Sequence, residues 1–264
     1  MQPLRLPGLL LFATALAAQT ARGPGPVYLH FNGVDQYVEI PGSADFSVTH
    51  SGLTVSAWMR PDTLTFPNPE GSGYVYWMGK GESNQQEWAA RMYSYTNRER
   101  PQRANRISFY LFNPEGGLGE GSYFQEPVSP GEWIHVAAVA SGGQTRIYRN
   151  GVYVRCDEYE GASGRGCQSH SERIHPVPGN APLRLGPRDL NSFFQGGLSQ
   201  VRIWTRALEA GEILQLYSAN NVPKKGLSAE FLLDEGEGLV VHDTTGRHEG
   251  KIVGARWVRL VTGN

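Results

Sequence analysis

The chain has 264 residues, with acids and bases so nearly balanced that its formal charge at pH 7 is −1. That balance argues against global steering toward nucleic acid or an anionic membrane surface. Abundant glycine and frequent aromatics suit many short strands joined by tight turns, and argue against a helical bundle.

Residues 1–20 read as a signal peptide. Arg5 is the positive region, Leu9 to Ala18 is an apolar run too short to span a membrane, and Ala15-Leu16-Ala17 offers a small-x-small cleavage site. The alternative, an amphipathic or buried N-terminal helix, would need a polar period that the run lacks. No later stretch reaches the roughly 20 apolar residues of a membrane-spanning helix. The expectation is a protein that is secreted (extracellular or periplasmic) and not transmembrane. About 240 residues remain, which suits one large all-β domain better than two small ones.

Val27 to Pro41 opens this domain as two strand-like runs around a turn at Asn32-Gly33. Leu53 to Pro61 is the next strand, ended by a proline that cannot donate to a ladder. Residues 62–105 are less regular, with strands at Tyr74–Gly81 and Glu87–Tyr93 on either side of a polar turn at Ser83-Asn84. Arg98, Arg100, Arg103 and Arg106 crowd around Pro101, and Ile107 to Phe112 resumes the strand pattern. Glu115 to Gln125 is a glycine-rich loop, followed by a strand within Gly131–Ala140. Gln144 to Val154 is the clearest hairpin, because Asn150-Gly151 supplies the two positive φ values of a type I′ turn.

A polar excursion at 156–181 holds the chain's two cysteines, Cys156 and Cys167. In an exported chain they read as a disulfide, worth roughly 2–3 kcal/mol for a loop of this size. Two free thiols or a metal site are the alternatives, and His170 and His175 match no standard zinc spacing. Pro182 to Gly186 returns to a strand. In Gly196 to Leu208, Val201 and Ile203 alternate with Arg202 and Trp204, the period of a half-buried strand. One short helix is expected near 208–219, stopped by Asn220-Asn221 and Pro223.

Several of these stretches resemble laminin G-like domains, which are concanavalin A-like jelly rolls. Gly196 to Leu208 resembles the family's G-x-I-D-E-V-R-I-Y-x-R-A-L, and Tyr28 to Pro41 its F-D-G-x-x-D-Y-V-E-I-P opening. Leu53 to Pro61, Trp133 to Ala137 and the Asn150-Gly151 hairpin match further family strands in order. Leu227 to Gly238 with Asp243 to Gly246 resembles a motif that begins the domain in many members but here follows the closing strand. The resemblance covers residues 27–258. It implies an all-β, two-sheet antiparallel jelly-roll sandwich in a single domain. Within it, 227–258 either docks beside the N-terminal strand or is a truncated second copy. Docking is favoured, because a half-copy would leave Phe231, Leu233, Ile252, Val253 and Trp257 unburied.

The resemblance also implies a structural calcium near the first turn. The matching positions are Asn32, Asp35, Ser199 and Gln200, mostly neutral where hard carboxylates are expected. Neutral hydrogen bonds replacing the ion are therefore favoured over a weakly held calcium, and no cofactor is required. Glycoside hydrolysis needs two carboxylates in a cleft, and Glu158 and Glu160 fall in a loop-like stretch, so an enzyme is the third choice. The leading reading is a non-catalytic carbohydrate-binding module using rim loops, with protein–protein adhesion as the alternative. Trp77, Trp88 and Tyr93 are candidate sugar platforms. Arg98, Arg100 and Arg103 are candidates for acidic glycans, against the plain alternative of a solvated loop. The partner is an extracellular glycan or protein, not nucleic acid, and the oligomeric state stays open.

Overall fold

The computed structural model describes residues 23–99, 103–117, 119–123, 126–153 and 174–260. The expected signal peptide, Cys156 and Cys167, Glu158 and Glu160, and Arg100 lie outside the described residues. The strands, in chain order, are β1 (Val27–Asn32), β2 (Tyr37–Ile40), β3 (Leu53–Pro61), β4 (Tyr74–Lys80), β5 (Trp88–Tyr93) and β6 (Ile107–Leu111). β7 (Glu120–Tyr123), β8 (Ile134–Ser141), β9 (Gln144–Arg149), β10 (Val152–Tyr153), β11 (Leu183–Leu185) and β12 (Gln195–Trp204) follow. Helix α1 (Ala210–Ala219) precedes β13 (Leu227–Phe231), β14 (Val240–His242), β15 (Glu249–Val253) and β16 (Arg256–Arg259). Among the described residues no helix is long and apolar enough to cross a membrane.

Two antiparallel sheets form the sandwich. Sheet I runs β10-β9-β8-β3-β12-β1-β16 with β13 also on β12, and sheet II runs β14-β15-β2-β11-β4-β5-β6-β7. Period-2 alternation decides which side chains fill the space between them. Leu29, Phe31, Val55, Met59, Val201 and Ile203 of sheet I meet Val38, Trp77, Trp88, Met92 and Phe109 of sheet II in one core. Fully burying a side chain of this kind contributes roughly 1.5–3 kcal/mol.

β12 is an interior strand of sheet I and changes partners along its length. Its first half pairs with β1 (Leu29 opposite Leu198) and its second half with β13 (Ile203 opposite Ala229). The change is made at a bulge, where the register to β3 shifts between Ser199 and Arg202 and Gln200 has φ 51°. A bulge bends the strand and re-aims its edge, so two short strands share one side of it. The segment from Leu227 supplies four strands. β16 lies beside β1 (Leu29 opposite Trp257), and β15 beside β2 (Ile252 opposite Val38).

The two turns expected at Asn-Gly differ. Asn150 and Gly151 have φ 52° and 78° and close the β9–β10 hairpin, as a type I′ turn requires. Asn32-Gly33 instead carries the chain from sheet I to sheet II, because β1 and β2 belong to different sheets.

The outer face of sheet I is covered by α1. Trp204, Leu208, Ile213 and Leu216 form a second apolar cluster there, and the Trp204 indole donates to the Pro223 carbonyl at 2.7 Å. Thr54 fixes the entry to the helix, donating to the Arg206 carbonyl and accepting from the Leu208 N–H.

Candidate functional site

The outer face of sheet II is built differently. One row across it runs Arg184, Gly79, Ala89, Tyr110 and Gly121 from β11 to β7. The next row runs Tyr76, Arg91, Ser108 and Tyr123. Glycine and alanine keep the first row low, so large side chains from elsewhere lie on it. A Cβ at Gly79 would sit 2.9 Å from both Cβ and Cγ of Arg188, whose stem occupies that space. Its guanidinium then stacks on Tyr76 (4.4 Å) and Phe112 (4.8 Å).

Beside Arg188, a cleft of about 480 Å³ opens between two loops. Glu82, Ser83 and Gln86 of the β4–β5 turn line one wall, Asp189, Leu190 and Asn191 of the β11–β12 loop the other, with Arg184 between them. Arg184 acts as a bracket: its Nε donates to Glu39 at 2.8 Å, its Nη1 to the Arg188 carbonyl at 2.9 Å, and its Nη2 lies 3.5 Å from Glu82. Arg188 Nη2 donates to Asp189 Oδ2 at 2.8 Å. Glu82 and Asp189 therefore balance Arg184 and Arg188.

Glu70 stands near this group. It accepts from the Tyr76 hydroxyl at 3.1 Å and from the Ser192 hydroxyl at 3.4 Å. Burial, reinforced by the nearby Asp189 carboxylate, raises its pKa above the ordinary glutamate range. A further depression of about 540 Å³ lies at the β14–β15 hairpin. Its Asp243 carboxylate is occupied by the local turn, accepting from the Glu230, Thr245 and Arg247 backbone N–H groups.

The expected aromatic platforms are corrected by this arrangement. Trp77 and Trp88 point into the core, at 1% and 0% exposure, and the Trp88 indole donates to the Phe46 carbonyl at 2.7 Å. Alternation on β4 and β5 turns them inward, so neither offers a face to a sugar. Tyr93 lies on the outer face but is fully covered, its hydroxyl accepting from Arg91 at 3.0 Å and Arg103 at 3.2 Å.

The arginine cluster divides as well. Arg103 donates to Tyr110 at 2.6 Å and pairs with Glu99 at 2.5 Å, which commits it to packing rather than to a ligand. Arg98 is exposed. Tyr93 and Arg103 are thus brought together, and Trp77 and Trp88 are not.

The calcium positions do not assemble. Asn32 Oδ1 accepts from the Val34 and Asp35 N–H groups, and Asn32 Nδ2 donates to Asp35 Oδ1, so the turn closes on itself. Ser199 lies four residues along β12 from Gln195, the partner of Asn32, or about 13 Å at the usual strand rise. It donates instead to the Pro24 carbonyl at 2.5 Å. This donor set does not fit an ion that takes six to eight oxygens. Among the described residues no three His, Cys, Asp or Glu side chains converge for a metal.

A family model described as the concanavalin A-like lectin/glucanases superfamily matches residues 32–214. The chain belongs to this superfamily. Among solved structures, a Bacteroides ovatus protein assigned provisionally to carbohydrate binding is 20% identical, with TM-score 0.60. The match covers 89% of this chain and 60% of that one, so this chain spans about three-fifths of its length. A heptameric SAP-like pentraxin from Limulus polyphemus is 16% identical, with TM-score 0.52 over 89% of this chain and 98% of that one. Curated protein sequences give no match. At these identities the likeness is one of fold.

Arg184, Arg188, Asp189 and Glu70 were not singled out from sequence. The available signal was Gly186-Pro-Arg-Asp-Leu-Asn-Ser192, a polar turn-forming stretch between two strands.

Proposed function

We propose that this protein is an exported, non-catalytic module that binds carbohydrate in the cleft on the outer face of sheet II. The observation that carries the reading is the cleft's lining. Ser83, Gln86 and Asn191 contribute a hydroxyl and two amides, and Arg184 and Asp189 charged groups, converging on one open space. Amides and hydroxyls both donate and accept, as sugar hydroxyls do, and a few convergent polar groups are what orient a small ligand. The carboxylates there are committed to scaffolding: Asp189 to Arg188, Glu82 beside Arg184, and Glu70 to Tyr76 and Ser192. That favours recognition over hydrolysis.

A glycan array followed by calorimetry tests the reading. Ser83 and Asn191 are exposed, so Ser83→Ala with Asn191→Ala should leave the melting temperature unchanged and weaken glycan binding. Absence of glycan binding by the unaltered protein would leave adhesion to a protein partner as the better reading.

A further inference from the structure

We infer that Leu190 is the residue against which the cleft seats its ligand, and that the ligand is a cyclic sugar with an apolar ring face. The inference rests on the carbohydrate reading of the cleft. Among the described residues, seven other than glycine have a positive φ. Four are asparagines, whose short polar side chain tolerates this conformation. Gln200 forms the β12 bulge, and Leu233, at φ 56°, is fully buried in the core. Leu190, at φ 60°, has none of these reasons. It is aliphatic, lies in a loop and keeps 41% of its surface in solvent.

Strain of this kind persists only where the surrounding structure fixes it. The loop is anchored on both sides of Leu190. Before it, Asp189 Oδ2 accepts from Arg188 Nη2 at 2.8 Å. After it, the Ser192 hydroxyl donates to Glu70 at 3.4 Å, and Phe193 forms a parallel bridge with Tyr76. Leu190 is thus set in the cleft wall before any ligand arrives, and little freedom is lost on binding.

Leu190 is also the one apolar residue among the described residues that line the cleft. A sugar ring presents two kinds of surface, hydroxyls around its rim and C–H groups on its faces. Ser83, Gln86 and Asn191 suit the first, because a hydroxyl or an amide both donates and accepts. Leu190 suits the second, because apolar surface leaves water favourably only against an apolar neighbour. Leu190, Ser83 and Asn191 are all exposed, so a ligand reaches them without opening the fold.

The test is calorimetry on the full chain with gluco-, manno-, xylo- and arabino-oligosaccharides at several temperatures, which also gives the heat-capacity change of binding. Burial of apolar surface makes that change negative. Leu190→Gly and Leu190→Asn both accept the positive φ and should keep the melting temperature or raise it. Each should bind about tenfold more weakly, the effect of leaving this Leu surface in water, with a less negative heat-capacity change. Leu190→Met keeps an aliphatic chain and should restore most of both. Asn191→Ala should weaken binding and leave the heat-capacity change as it was. Unchanged affinity in the Leu190 variants, or weaker binding with the heat-capacity change intact, would overturn the inference and leave carbohydrate binding standing. Destabilisation of both variants would make Leu190 a packing residue and overturn it as well. Failure of every sugar to bind the unaltered chain would remove the carbohydrate reading, and this inference with it.

Discussion

The outer faces of the two sheets show what the same alternation can be used for. On sheet I the outward residues are Trp204, Tyr148 and Val139, and α1 with Leu208, Ile213 and Leu216 closes over them. On sheet II they are Tyr76, Arg91 and Tyr110, and Asp189, Leu190 and Asn191 arrive from a loop to wall an open polar cleft. Apolar cover stabilises whatever lies beneath it. Polar cover leaves charged and hydrogen-bonding side chains around an open cleft, where a ligand can meet them. The difference teaches that in a sandwich the core faces look alike, and function is decided by what lies over the outside.

Four outcomes sharpen or break this contrast. The largest is Trp204→Ala, which should cost about 3–5 kcal/mol in denaturant unfolding, without changing glycan affinity below the transition. A loss under 1 kcal/mol would show that α1 is not packed as a structural cover.

Next is His135, buried under the same cover between Trp58 at 5.4 Å and Tyr217 at 5.9 Å. Burial, aided by the Arg202 charge, pulls its pKa from 6.5 down to about 3. Between those values the unfolded chain holds a proton at this site that the folded chain refuses. Stability therefore falls as the pH drops below 6.5, and this contribution is fully present only above it, at up to roughly 1.4 kcal/mol per pH unit. His135→Phe should flatten that slope; an unaltered slope would mean that the folded protein protonates His135.

On sheet II, Gly79→Ala places a Cβ 2.9 Å from Arg188 and 3.1 Å from the Trp88 carbonyl. We expect a loss of about 1–3 kcal/mol from crowding, accompanied by loss of glycan binding because Arg188 and Asp189 move together. Binding that survives would uncouple Arg188 from the cleft. The smallest effect is Leu190→Gly, which relieves a positive φ and should stabilise by up to about 1 kcal/mol while weakening binding. Destabilisation instead would make Leu190 a packing residue.

Particular residues mark how far the sequence was legible. Val201 and Ile203 alternate with Arg202 and Trp204, and the strand, its inward face and the helix after it followed from local periodicity alone. Trp77 and Trp88 lie within stretches that read as strands, but no local signal tells which face of those strands is covered. Their strands form all the same, and their parity sends them inward. Asn32 and Ser199 sit in neighbouring strands as the motif suggests, yet register holds them four residues out of line.

What the sequence by itself determined is a run of short strands, the inward face of β12 and the Asn150-Gly151 turn, because alternation and turn chemistry act within a few residues; the two-sheet sandwich came from the resemblance those strands carry. What only the tertiary structure decided is the site. Gly79, Tyr76, Phe112, Arg184 and Asp189 come from three separate stretches of the chain. They meet because β11 lies beside β4, and because Gly79 has no side chain where the Arg188 stem must pass.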